Sequence, residues 1–160
     1  MVCAFSGHRP EKLPWGNDEQ DPRCTALKQR MAQELRLLCD GGCDHFLCGM
    51  ARGTDLYYLE QLIKLRAEYP LTIEAVIPCP SQAERWHETH QRNYLRLLGA
   101  CDKTTVLEER YSEGCMLRRN RYMVEHADVL MTVFDGSLGG TASTVRYAKA
   151  RGVKLIPLWL

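Results

Sequence analysis

The chain has 160 residues, and it lacks any apolar run long enough to span a bilayer. It also lacks a dominant charge. Lysine plus arginine number 21 against 20 for aspartate plus glutamate, so no global field favours nucleic acid or an anionic membrane. Aromatic residues make up only 8%, sparse for a surface that stacks on unpaired bases. Neither G-x-G-x-x-G nor G-x-x-x-x-G-K-[ST] occurs, which withdraws support from dinucleotide dehydrogenases and phosphate-hydrolysing motors. The eight cysteines include no C-x-x-C pair. Cys3, Cys48 and Cys79 sit in or beside apolar runs, and Cys39 and Cys101 close helical patterns. Mostly buried thiols in a reducing cytoplasm are therefore expected, with no secretory signal read ahead of Val2–Phe5. Cys39, Cys43 and Cys48 are too loosely spaced for a structural zinc site, and no metal is expected.

What is present is an ordinary globular composition, 45% apolar and 26% charged, in a length that suits one domain over residues 1–160. Short apolar runs alternate with amphipathic ones. Strands are expected at Val2–Phe5, His45–Cys48, Thr72–Ile77, Lys103–Leu107, Val129–Phe134 and Lys154–Leu160. Helical spacing fills Thr25–Cys39, Asp55–Glu68, Cys115–His126 and Thr141–Arg151. Ser81, with Glu84 three residues on, reads as a capping box opening a further helix that runs to Gly99. The fold class is α/β: a Rossmann-like three-layer α/β/α sandwich around a parallel sheet of about six strands, with expected order 3-2-1-4-5-6.

In such sheets ligands sit beyond the carboxyl ends of the strands, near the switch point. Four segments fall there: Ser6-Gly7-His8-Arg9-Pro10, Cys48-Gly49-Met50-Ala51-Arg52-Gly53-Thr54-Asp55, Arg118-Arg119-Asn120-Arg121, and Asp135 to Ser143. Glycines let backbone N–H groups approach an anion, and the helix starts beyond them add their dipoles. Arg52 and Arg121 are candidates for bidentate pairing with phosphate or carboxylate, and Thr141 and Ser143 for hydroxyl donation. Gln82 and Trp86 begin the helical region after the third strand, where Trp86 serves either as a stacking platform or as packing. Asp135 is placed to accept a ribose hydroxyl or to cap a turn. His87-Glu88-Thr89-His90 is one residue short of a zinc-protease motif and reads as a solvated face. Cys48 beside His8 reads as a buried thiol ahead of a nucleophile–base pair.

These segments, in this order, resemble the SLOG superfamily, which joins DNA-processing proteins of the Smf/DprA type to Lonely Guy phosphoribohydrolases, and within it the YpsA-like branch. Phe5-Ser6-Gly7-His8-Arg9-Pro10 is similar to that branch's opening motif. Gly49-Met50-Ala51-Arg52-Gly53-Thr54-Asp55 resembles the glycine-Ala-Arg-Gly-hydrophobic-Asp signature of the DNA-processing relatives. Gln82, Trp86, Arg92 and Tyr94 keep the branch's spacing. Arg119 to Val124 with Ala127-Asp128 resembles its penultimate helix, and Gly139-Gly140-Thr141 its last loop.

The resemblance implies a Rossmann-like domain whose pocket takes a nucleotide, NAD or an ADP-ribose derivative. The residues assigned to it are Ser6, Gly7, His8 and Arg9; Gly49, Ala51, Arg52, Gly53 and Asp55; Gln82 and Trp86; Arg119, Asn120 and Arg121; and Asp135, Gly139, Gly140, Thr141 and Ser143. The phosphoribohydrolases pair an arginine of the penultimate helix with a glutamate three residues past the last loop's Gly-Thr. Arg121 stands at the first position, but Thr144 at the second, and threonine neither steadies an oxocarbenium-like centre nor activates water well. A sensor or carrier-like binding module is therefore expected, with no cofactor required and no assigned catalytic residue. Nucleoside-monophosphate hydrolysis is the first alternative and single-stranded DNA binding the second. Nucleic acid and membrane are not expected partners, and a homodimer is among the states the sequence admits.

Overall fold

A computed structural model describes residues 1–160. Six strands and five α-helices alternate along the chain: β1 (Val2–Gly7), α1 (Pro22–Asp40), β2 (His45–Cys48), α2 (Thr54–Leu65), β3 (Thr72–Ile77), α3 (Glu88–Gly99), β4 (Lys103–Val106), α4 (Cys115–Glu125), β5 (Val129–Phe134), α5 (Gly140–Ala150) and β6 (Lys154–Trp159). All strand pairs are parallel, so the Rossmann-like class expected from the sequence holds.

The strand order is β4-β3-β2-β1-β5-β6. It differs from the expected order at one strand, because β4 pairs with β3 at the sheet's edge and β1 pairs directly with β5. The reason lies in the side chains. Lys103-Thr104-Thr105-Val106 is largely exposed, and a short, charged strand belongs at an edge, where it discourages pairing with other chains. Val129–Phe134 is buried along its whole length and takes a neighbour on each side. The chain thus walks outward from β1 to β4, then returns through α4 to β5, and the sheet's switch point falls between β1 and β5.

Alternation along the strands divides the core. Cys3 and Phe5 face the layer of α1, α2 and α3, whereas Ala4, Leu47 and Leu130 face Met123, Val124 and Ala148 of α4 and α5. Phe5 stacks on Tyr58 at 4.7 Å, and the Tyr58 hydroxyl donates to the Cys3 carbonyl at 3.3 Å. The long β1–α1 connection is pinned by buried Leu13 and Trp15, whose indole N–H donates to Tyr57. Asp21 caps α1 through the Arg23 amide at 2.8 Å, which starts the helix three residues ahead of the sequence expectation.

The helix expected from Ser81 begins only at Glu88, with His87 as its cap. Residues 79–86 fold as successive i→i+3 turns instead. Gln91 donates its side-chain amide to the Ala83 and Glu84 carbonyls, which satisfies groups that a continuous helix would pair internally. All eight cysteines are free, and six are buried. No helix is long and apolar enough to cross a membrane.

Candidate ligand-binding cleft

A cleft of about 620 Å³ opens at the carboxyl edge of β1 and β5. Ser6, Gly7, His8 and Arg9 line it from the end of β1, Ala51 and Asp55 from the β2–α2 junction, Arg119 and Asn120 from α4, and Gly139, Gly140, Thr141 and Ser143 from the start of α5. The topology explains the convergence. β1 and β5 are neighbours, but α1 follows β1 on one face of the sheet and α5 follows β5 on the other, so their departing loops diverge and leave a crevice.

Arg119 is the chemical centre of this cleft. It is 2% exposed, and burial lowers its pKa from the ordinary arginine value. Its Nη1 donates to the Gly49 carbonyl and, at 3.1 Å, to Gln82 Oε1. Its Nε donates to Asn120 Oδ1 at 2.8 Å. Nη2 meets only the Met116 thioether, at 3.9 Å, and no carboxylate forms a salt bridge with the group. A buried guanidinium is costly unless an anion meets it. Here the group lines the cleft.

Asp55 is the nearest counter-charge and is itself only 5% exposed. Burial pushes its carboxyl up to about 6, against the opposing pull of Arg119, the Ala51 amide and Arg9. Ala51 N–H donates to Asp55 Oδ2 at 3.1 Å. The residue between Gly49 and Ala51 holds this arrangement: buried Met50 has φ of +60°, a left-handed conformation that a non-glycine residue rarely adopts. The turn aims the Gly49 carbonyl at Arg119 and the Ala51 amide at Asp55.

His8 closes the opposite wall. Its Nε2 lies 3.0 Å from Asp135 Oδ1 and 3.1 Å from the Asp135 amide nitrogen, so Asp135 fixes the ring. Hydrogen bonds from Ser137 and then His8 hold the Asp135 carboxyl well below the usual carboxylate range. The His8 carbonyl accepts from both Thr54 N and Thr54 Oγ1 at the start of α2. Above it, Lys12 reaches across the mouth to the Leu138 carbonyl at 2.5 Å and Ser137 Oγ at 3.3 Å. Lys12, Glu11, Gly114, Met116 and Leu117 all line the cleft and were missed by sequence reasoning. Only the unusual length of the β1–α1 loop signalled the first two.

Seven sequence-chosen residues lie outside the cleft wall. Arg121 is exposed on the outer side of α4, with its guanidinium 5.3 Å from the Tyr147 ring. It does not line the cleft, whereas Arg119, which shares the inward face with Cys115 and Met123 at spacings of four, does. Arg52 turns away to Asn17 Oδ1 at 2.9 Å and to His90. Gly49 and Gln82 stand behind Arg119 as its acceptors. Gly49 is demanded by packing, since a Cβ there would meet the guanidinium carbon at 2.8 Å. Gly53, with φ of +88°, packs against the His8 carbonyl, which a Cβ would meet at 2.9 Å. Asp135 acts through His8, and Trp86 lies in a neighbouring groove. Thr144 is buried and donates its hydroxyl to the Gly140 carbonyl within its own helix, so its position does not face the cleft. His87 and His90 form no metal cluster, nor does any other group of His, Cys, Asp or Glu.

Residues 3–154 match the model of the YspA SLOG family (YpsA). The chain belongs to this family. A UPF0398 protein of Bacillus velezensis is 29% identical over 144 residues, covering 88% of this chain and 78% of that protein. The uncharacterised SPbeta prophage-derived protein YoqJ of Bacillus subtilis is 30% identical over 145 residues, covering 81% of this chain and 84% of its own. Among solved structures, DNA processing protein A of Helicobacter pylori, described for its single-stranded DNA binding mode, superposes with a TM-score of 0.65 at 18% identity. That match covers 98% of this chain but 64% of the longer protein, and at this identity it speaks for a shared fold. The SLOG resemblance read from the motifs is thereby established.

Proposed function

We propose that this SLOG domain binds a nucleotide or nucleotide-derived small molecule in the β1–β5 cleft, as a sensor or carrier-like module, with Arg119 as the anion anchor. One observation carries the reading: a guanidinium 2% exposed, without a carboxylate partner, opens into a cleft. The first turn of α5 supplies the rest of an anion site. Gly140, Thr141 and Ser143 line the cleft where that helix begins, and unpaired N–H groups and the helix dipole favour phosphate there. Melting curves with a panel of mononucleotides and dinucleotides at millimolar concentration test this by mass action on the native state. The Arg119→Lys variant is expected to lose most of the shift, because an ammonium cannot serve Gly49, Gln82 and a phosphate with one fork. No shift for any nucleotide with the wild type would sink the proposal.

A second reading, turnover, is favoured by Asp55, a carboxyl facing the same cleft with a pKa raised to about 6. A carboxyl poised there is suited to proton transfer near neutrality. Release of free base from AMP or GMP by the wild type, abolished in Asp55→Asn, would replace binding alone with hydrolysis. The DNA reading suggested by the fold neighbour predicts gel-shift binding of single-stranded DNA that weakens steeply with salt.

A further inference from the structure

Beside the main cleft runs a second groove of about 300 Å³, lined by Gln82, Glu84, Arg85, Trp86, Tyr111 and Met116. One of these residues is shared with the cleft, and a second bonds to a residue of the cleft wall. Met116 lines both spaces and touches Arg119 Nη2 through its sulfur, and Gln82 accepts from Arg119 Nη1. The two spaces therefore adjoin at Met116, beside Arg119.

The groove's aromatic rings are unusually available. Tyr111 is 67% exposed, although its ring is large and apolar. Trp86 is half-buried, meeting Tyr94 edge-on at 5.2 Å and 81°. Glu84 and Arg85, both exposed, bring an acceptor and a donor to the same groove. Flat rings, a soft thioether and one group of each hydrogen-bonding sense are the means by which proteins hold a nucleobase. The main cleft, at about 620 Å³, is within the usual size of a whole small-ligand pocket, which leaves the groove for a further ring.

We propose that the Trp86–Tyr111–Met116 groove is a second base subsite, so that the preferred ligand carries two aromatic bases joined through phosphate, one base on each side of Arg119. This rests on the nucleotide-binding reading of the cleft. A pyrophosphate-joined dinucleotide and a phosphodiester-joined one both meet this requirement, since both place phosphate between two bases.

Calorimetric titration of the full chain with AMP, with NAD and with 5′-phosphorylated dithymidylate tests it. At least one two-base ligand is expected to bind about tenfold more tightly than AMP, the scale of one stacked base. Tyr111→Ala, at an exposed position, and Trp86→Ala, with its melting temperature checked, are expected to reduce that ratio toward one. The winning linkage then tells a free dinucleotide from a nucleic-acid strand, and either supports the subsite. Equal affinities for AMP and both two-base ligands overturn the groove while leaving the cleft intact, as does a ratio that survives Tyr111→Ala. Failure of all three ligands to bind the wild type overturns the cleft reading and the groove with it.

Discussion

Replacing Asp55 by asparagine removes a buried ionisable group while keeping its shape and an oxygen to accept the Ala51 N–H. Burial raises this carboxyl from its ordinary 3.8 to about 6. Ionising it therefore costs about 3 kcal/mol more in the folded protein than in the unfolded chain. As pH rises, the unfolded chain releases the proton first. Across the window from about 4 to 6 the folded protein holds more protons, so wild-type stability falls through that range and levels off above it. Asparagine mimics the neutral acid at every pH. Asp55→Asn is expected to flatten this descent and to stabilise the ligand-free protein above pH 6 by roughly 1–3 kcal/mol, a large change for a single substitution. Urea denaturation of both proteins between pH 4 and 8 reads the difference directly. A destabilised variant at pH 7.5, or an unchanged slope between pH 4 and 6, would show that Asp55 is held ionised by Arg119 and would refute the reasoning.

Three further substitutions separate fold from site. Arg121→Ala is expected to leave nucleotide affinity unchanged and stability within about 0.5 kcal/mol, because only an exposed contact with Tyr147 is lost; a Kd weakened tenfold would return this residue to the site. Thr144→Glu must bury a carboxylate in place of a hydroxyl bonded to Gly140, so chemical denaturation is expected to show a loss of several kcal/mol. Base release from AMP gained by that variant, with its fold intact, would contradict the placement. Gly53→Ala forces a methyl group against the His8 carbonyl at a positive φ, with an expected loss of more than about 1 kcal/mol, measured by the midpoint of urea unfolding; an equally stable variant would mean that the α2 entrance yields easily.

Much of this molecule is legible in its sequence because the relevant physics is local. Strand and helix periods, the apolar run Val129–Phe134 and the glycine-bearing turns needed only neighbouring residues to declare themselves, and the ordered motifs placed the chain in the SLOG family. The carboxyl-edge rule then brought Ser6–Arg9, Asp55, Asn120 and Gly139–Thr141 to one cleft, as the structure places them. What the tertiary structure alone decided depended on which side of an element met a distant one. Arg119 and Arg121 are the same residue type and only two residues apart, yet about 200° of helix separates them, and only the packing of α4 on the sheet turns the first inward. Arg52 lies in the most motif-like segment, but the left-handed Met50 and the close approach of Gly53 to His8 swing it toward Asn17. The edge position of β4 was foreshadowed by its polar residues, whereas its pairing with β3 follows from the whole sheet's need to bury β5 between β1 and β6. Long-range packing, rather than residue type, chose which arginine opens on the cleft.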